Sequence, residues 1–289
     1  MSIVKAALAI LLLPIIALNL GDGDGDRESS MDLNDFGVLP EYKLLFCCNE
    51  KAGSTSINKL LAAIAPEPNS QVPVWFQHRP TNYGLNAEDV IRILHDPSWV
   101  KAVSYRDPLE RFLSAYRSKC EHFDEDKTCE MVFHDRNPSF AGAVRQLILN
   151  EDFTPDPHFY CQADLCTLRK NLPLFDEPFN LDQNMAYNWI TRVLAKAEVE
   201  ITASVNRTLF SNFAPPGVAG IKSNHITHSA EIETLLHYYN HDCLIRLVVS
   251  HYQVDYSLFR LPYPDWAVGA IERVTLKECM EYIQTNHFD

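Results

Sequence analysis

From residue 43 onward the chain alternates two hydrophobic patterns: short continuous apolar runs, and stretches where apolar residues recur every three or four positions. Lys43 to Cys48 is the first continuous run and reads as a buried strand. Ser56 to Ala65 carries Ile57, Leu60, Leu61 and Ile64 at helical spacing, and Pro66 stops it. Val72 to Phe76 reads as a second strand. Asn86 caps a predicted helix running to Leu94, with Glu88 and Asp89 in the first turn, where negative charge suits the helix dipole. Val100 to Tyr105 is a third strand, and Pro108 opens a helix predicted to reach Lys119. Further helices are predicted at Ser139–Leu149, Asp182–Lys196, Ser229–Tyr239 and His241–His251, and a strand at Val199–Ala203. Strands buried on both faces and separated by helices predict an α/β fold: one domain, with a central parallel sheet flanked by helices.

The N-terminus breaks this pattern. Lys5 precedes an apolar run from Ala6 to Leu18, interrupted by Pro14. As a helix the run spans roughly 20 Å, short of a hydrocarbon core of about 30 Å. It reads as a secretory-pathway signal over residues 1–20, either retained as a signal-anchor or cleaved near Gly21-Asp22-Gly23. Residues 21–40, rich in Gly, Asp and Ser, read as a flexible acidic stem, and residues 41–289 as the lumenal domain. The 289 residues carry a net charge of −13, which argues against a nucleic-acid partner or a protein coating an anionic membrane. Six acidic residues against one basic residue crowd positions 22–35, so the remainder is only mildly acidic and has room for a local basic pocket.

Eight cysteines fit an oxidising compartment. Cys47 and Cys48 lie inside an apolar run and read as small buried hydrophobes. The other six form pairs along the chain: Cys120 with Cys129, Cys161 with Cys166, and Cys243 with Cys279. A zinc site using His158, Cys161 and Cys166 is the competing reading, although it lacks a fourth ligand of suitable spacing. Asn206-Arg207-Thr208 is a glycosylation sequon.

Two segments carry chemistry. The first strand ends in Asn49-Glu50-Lys51-Ala52-Gly53-Ser54-Thr55-Ser56 before a helix begins. Gly53 permits a tight turn, and the amides that follow point at whatever lies over the helix N-terminus, which makes an anion site with hydroxyls and a lysine added. It is not a Walker A loop, because Lys51 precedes the one glycine instead of standing directly before Ser/Thr, and this counts against a P-loop kinase. The third strand runs into Arg106-Asp107-Pro108-Leu109-Glu110-Arg111-Phe112-Leu113-Ser114-Ala115-Tyr116. Arg106 stands at a strand's carboxyl end, where ligands of open α/β sheets gather, and Ser114 lies two turns along the helix. Arg111 and Arg117 on their own read as solvated or salt-bridged surface groups.

Together these segments resemble the sulfotransferases that use 3′-phosphoadenosine 5′-phosphosulfate, and most closely the Golgi carbohydrate sulfotransferases of the heparan 2-O- and chondroitin type. In that family a Lys-x-Gly-x-Ser/Thr-Ser/Thr loop is the 5′-phosphosulfate site, and the Arg-Asp-Pro-x-x-Arg-x-x-Ser-x-Tyr run is the 3′-phosphate site. Cys161 to Cys166, following Asp156-Pro157-His158, resembles a Cys-containing family loop. Phe175 to Asn184 resembles the family's segment before its next helix, and Val254 to Phe259 its late Asp-Phe-x-Leu-Phe ending. The family usually has Pro before the loop lysine. Here it is Glu50, whose carboxylate would repel an anionic donor unless it turns outward.

The resemblance implies a P-loop-like sulfotransferase fold and transfer of a sulfuryl group to a carbohydrate hydroxyl. Lys51 would neutralise the leaving phosphate, and Lys51, Ala52, Gly53, Ser54, Thr55 and Ser56 would hold the 5′-phosphosulfate. Arg106 and Ser114 would hold the 3′-phosphate, with Lys222 in the polar loop Lys222–Thr227 as a late donor contact. The scheme requires no metal. His78 is the expected base, from its place between the second strand and the 3′-phosphate segment, with His158 next. The expected setting is the Golgi lumen, with a membrane contact through the uncleaved N-terminal segment, or secretion if it is cleaved. A sulfotransferase-like domain that only binds is the non-enzymatic alternative, and a protein tyrosine is a further acceptor option.

Overall fold

The computed structural model describes residues 31–66, 72–121, 127–149, 156–181, 185–213 and 232–286. The N-terminal apolar run and the Lys222–Thr227 loop lie outside the described residues. In chain order the elements are β1 (Phe36–Leu39), β2 (Leu44–Cys47), α1 (Ser54–Ile64), α2 (Ala87–His95), β3 (Val100–Tyr105) and α3 (Pro108–Tyr116). Then come α4 (Thr128–Phe133), α5 (Phe140–Leu149), α6 (Leu168–Asn171), β4 (Glu177–Asn180), α7 (Ala186–Lys196) and α8 (Ala203–Phe213). The C-terminal part is helical: α9 (Ile232–Tyr238), α10 (Asp242–His251), α11 (Gln253–Phe259), α12 (Asp265–Arg273) and α13 (Leu276–Thr285).

The four strands form one sheet in the order β1-β2-β3-β4. β2, β3 and β4 run parallel, with Phe46 opposite Ala102 and Ser104 opposite Phe179, while β1 pairs antiparallel with β2. Both faces are buried, and the side chains of β2 alternate between them. Leu44 and Phe46 pack with α1, α7 and α8, whereas Leu45 and Cys47 pack toward α2, Leu168 and Phe259. Trp189 anchors the first face, stacked on Phe179 at 5.0 Å, with its indole N–H donating to Glu177 O at 3.1 Å. A third apolar cluster joins α3, α5, α10, α12 and α13 into a helical layer beside the sheet.

Several expected elements hold. α2 carries a full capping box between Asn86 and Asp89. Asp107 caps α3 through the amides of Leu109 and Glu110, with Pro108 at the first helical position. Others change. β1 lies in the segment expected to be flexible stem, and its residues are buried because they form the sheet's edge against β2. Residues 72–76 are turns, not a strand: Phe76 N closes onto Pro73 O at 2.8 Å, and β1 takes the sheet position beside β2. Val199–Ala203 is not a strand either, since Val199 N bonds back to Leu194 O at the end of α7 and its side chain joins the helical packing. β4 escapes the hydrophobic pattern because Pro178 interrupts it, which an edge strand tolerates.

The cysteine pairing is also partly different. Cys120–Cys129 and Cys243–Cys279 are bridged as expected. Cys166, however, pairs with Cys47 across 119 residues, leaving Cys161 and the buried Cys48 as free thiols. Cys47 is therefore not a free hydrophobe, and the zinc reading fails because a disulfide sulfur is not a thiolate ligand. Non-reducing peptide mapping is expected to return these three bridges. Replacing both Cys47 and Cys166 by Ala should cost up to about 5 kcal/mol, against about 3 kcal/mol for Cys120 and Cys129, because the longer loop constrains the unfolded chain more. Denaturant titration showing a smaller loss for the long bridge would contradict this.

Candidate active site

The site is built where β2 and β3 end side by side. After β2 the chain turns through Lys51 (φ 63°) and Gly53 (φ 92°), both left-handed, before α1 begins. Glycine removes the strain of that geometry at position 53. Among the described residues no side chain caps α1, so its first amides remain available as hydrogen-bond donors at the end of the loop. Ser104, the penultimate residue of β3, donates its hydroxyl to Ala52 O at 2.5 Å and ties the loop to the neighbouring strand. Ser54 and Ser56 are buried and Thr55 is exposed.

The second segment lies alongside. Arg106 is buried and its Nη2 donates to Glu110 Oε2 at 2.6 Å. Glu110 and Ser114 are one turn apart on α3, so Arg106 and the Ser114 side chain share one side of that helix. Lys51, Arg106, Arg111 and Lys119 are close enough for the three other cations to depress the Lys51 ammonium, while Glu50 opposes them. Burial is the larger cause, and together they bring Lys51 from 10.5 to about 8. The chain thus holds a basic cluster within an acidic protein.

Glu50 does not turn outward. Its Oε2 accepts from the Ser54 hydroxyl at 2.8 Å and lies 3.7 Å from His158 Nε2. The other ring nitrogen of His158 is 2.5 Å from Asp156 Oδ1. Burial acts to raise the Asp156 carboxyl, but the bonds from the His158 side chain and backbone outweigh it and leave the carboxyl below its ordinary value. Asp156, His158 and Glu50 therefore form a chain that reaches the loop after β2. His78 is placed differently. It is 1% exposed at the outer side of β1, its carbonyl accepts from Val38 N at 2.8 Å, and its Nδ1 lies 2.7 Å from the Tyr83 hydroxyl.

Four contributors have roles that the sequence reading did not assign, although Arg111, Gln162 and Asp255 lie in segments quoted for the resemblance. Arg111 is not a surface group: it is 1% exposed, with Nε donating to Glu50 O (2.8 Å), Nη1 to Tyr160 O (2.6 Å) and Nη2 to Pro157 O (3.0 Å). It braces the loop against the segment that carries His158. Arg117, by contrast, is partly exposed beside Glu121, as expected. Gln162 Oε1 accepts from Asn49 Nδ2 (3.2 Å) and Arg106 N (2.9 Å), while its Nε2 donates to Arg106 O at 2.9 Å. Asp255 fixes that turn by accepting from the Gln162 and Ala163 amides at 2.9 and 2.8 Å. Lys119 adds charge from the turn after α3. The residue types gave no warning, because these roles arise only when distant segments meet.

A lysine depressed by burial penalises the native state wherever the unfolded chain still holds the proton. That penalty is complete below pH about 8 and disappears as pH rises to 10.5. Lys51→Met should therefore stabilise the chain at pH 7, by up to about 3 kcal/mol, and lose this advantage by pH 10.5. Denaturant titrations at both pH values check it, and equal gains at both would contradict the burial of the charge.

Among known proteins, the sulfotransferase family matches this sequence over residues 34–264, from just before β1 to just before α12. Human carbohydrate sulfotransferase 8 is 33% identical over 91 residues, which are 29% of this chain and 21% of that protein. The chain therefore aligns with about a fifth of the length of this curated relative. No solved structure matches the chain. The family match covers most of the chain and includes the loop after β2, the Arg106 segment, the bracing Arg111 and the Gln162–Asp255 contact, and the chain belongs to the sulfotransferase family.

Proposed function

We propose that the chain transfers a sulfuryl group from 3′-phosphoadenosine 5′-phosphosulfate to a carbohydrate hydroxyl in the lumen of the secretory pathway. The observation that carries this reading is the side-by-side placement of two anion-binding segments, one at the end of β2 and one at the end of β3. Two such sites suit a nucleotide with phosphates at both its 5′ and 3′ ends, and the residues present fit that donor. The name of the human relative supports a carbohydrate acceptor, and the three disulfides support an oxidising compartment. The N-terminal segment would serve as signal-anchor or signal peptide.

In this reading the amides at the start of α1 and the hydroxyls of Ser54, Thr55 and Ser56 hold the 5′-phosphate, with Ala52 and Gly53 shaping the turn. Arg106 and Ser114 hold the 3′-phosphate, and Lys222 adds a contact from its loop. Both carboxylates now bonded to these groups, Glu50 on Ser54 and Glu110 on Arg106, give way to phosphate oxygens. The acceptor oxygen attacks sulfur as the bond from sulfur to the phosphate oxygen breaks. Lys51 neutralises the negative charge gathering on that oxygen, and the departing product is adenosine 3′,5′-bisphosphate. A base takes the acceptor's proton. His78 is the sequence-based assignment, but the geometry favours His158, which is partly exposed and faces the donor loop through Glu50.

Calorimetry and turnover on one set of variants test the reading. Adenosine 3′,5′-bisphosphate should bind more tightly than ADP, and Arg106→Ala should weaken it by roughly 10- to 100-fold, the worth of a charge-assisted phosphate contact. Glu110→Gln should tighten it, because it removes the competing carboxylate. His158→Ala should keep nucleotide affinity and lose about 10²–10⁴-fold in turnover. Equal affinity for both nucleotides would refute the donor. A normal turnover in His158→Ala with a slow His78→Ala would return the base to His78.

A further inference from the structure

The segment 72–83 carries an exposed aromatic surface that the donor site does not use. Trp75 is 48% exposed, Phe76 44% and Tyr83 37%, with Val72 beside them at 41%. Elsewhere among the described residues, the strongly exposed large hydrophobics are aliphatic or Met side chains such as Ile91 and Met131. The backbone beneath the aromatics is clamped. Asn82 Nδ2 donates to Phe76 O at 2.6 Å and to Gln77 O at 2.9 Å, and Gln77 Nε2 donates to Val72 O at 2.9 Å. Rings held this way in water add nothing to the core, and a concentrated exposed patch marks a binding surface.

Arg79 connects this surface to the donor loop. Its guanidinium lies 5.6 Å from the centre of the Phe76 ring, donates to Phe36 O in β1, and is near enough to act on the thiol of Cys48, two residues before Glu50. Tyr83 closes the other end through its contact with His78. Four exposed side chains fall short of the roughly 20–30 residues per side of a stable protein interface. They suit the flat C–H face of a sugar ring, whose weakly positive hydrogens complement the negative face of an aromatic ring.

We infer that Trp75, Phe76 and Tyr83 form the acceptor platform, on which the apolar face of a pyranose stacks while Arg79 holds the platform against the donor loop. The inference rests on the sulfotransferase reading above. It is tested with labelled 3′-phosphoadenosine 5′-phosphosulfate and oligosaccharides ending in galactose, N-acetylgalactosamine, N-acetylglucosamine or glucuronate. Trp75→Ala and Phe76→Ala should each raise the acceptor KM about 10-fold. Both should leave affinity for adenosine 3′,5′-bisphosphate at the wild-type value. Trp75→Phe should recover most of the loss, and Ile91→Ala, an exposed hydrophobic on α2, should change neither quantity. An unchanged KM in both alanine variants, with donor binding intact, overturns the platform and leaves the donor reading standing. So does a wild-type chain that binds the nucleotide but sulfates none of the panel, or variants that alter only self-association in size-exclusion chromatography. A wild-type chain that fails to bind the nucleotide overturns the sulfotransferase reading and the platform with it.

Discussion

The carboxamide of Gln162 holds together the two strand ends on which the site depends. Parallel strands β2 and β3 end next to each other, and each continues into a loop and a helix N-terminus. Gln162, fully buried, accepts from the Asn49 side chain on one loop and exchanges bonds with the Arg106 backbone on the other. A side-chain amide presents an acceptor and a donor from one planar group at any ordinary pH. Its own position comes from Asp255, whose carboxylate takes the two successive amides of Gln162 and Ala163. Burial raises the pKa of Asp255 despite these bonds and the nearby Arg111 charge. An apolar side chain at 162 would leave several buried polar groups without partners, at about 1–3 kcal/mol each.

Charge is distributed around that frame in two roles. Arg111 spends its hydrogen-bonding capacity on three backbone carbonyls and so serves as a brace, carrying positive potential without contacting solvent. Lys51 is held in a left-handed turn among other cations, in surroundings that weaken its own charged state. A basic cluster thus sits within a chain of net charge −13. Glu50, the departure from the family's usual proline, contributes twice. Its carbonyl accepts from Arg111, and its carboxylate links Ser54 to the His158–Asp156 pair.

What the sequence disclosed follows from how local each signal is. The strand–loop–helix unit at Lys43–Ile64 and the capped helix at Ala87–His95 are written in contiguous residues, and both formed close to their expected bounds. The Cys120–Cys129 bridge is equally local. β1 was hidden because its four residues follow an acidic, Gly-rich stretch and gain their meaning only from pairing with β2. The Cys47–Cys166 bridge, the Gln162 clamp and the Arg111 brace join positions dozens to more than a hundred residues apart, and no spacing rule reaches that far. Trp75 and Phe76 misled for a physical reason: an apolar run implies burial, and here those side chains face water.

The central claim is that Gln162 makes one two-phosphate site from two separate loops. The direct measurement is the affinity of adenosine 3′,5′-bisphosphate relative to adenosine 5′-monophosphate, in the wild-type chain and in Gln162→Leu. The wild type should prefer the bisphosphate by roughly 10- to 100-fold, the worth of the added charge-assisted contact, and a folded Gln162→Leu chain should lose most of that preference while still binding the monophosphate. A preference of wild-type size in folded Gln162→Leu, or none in the wild type, would contradict it.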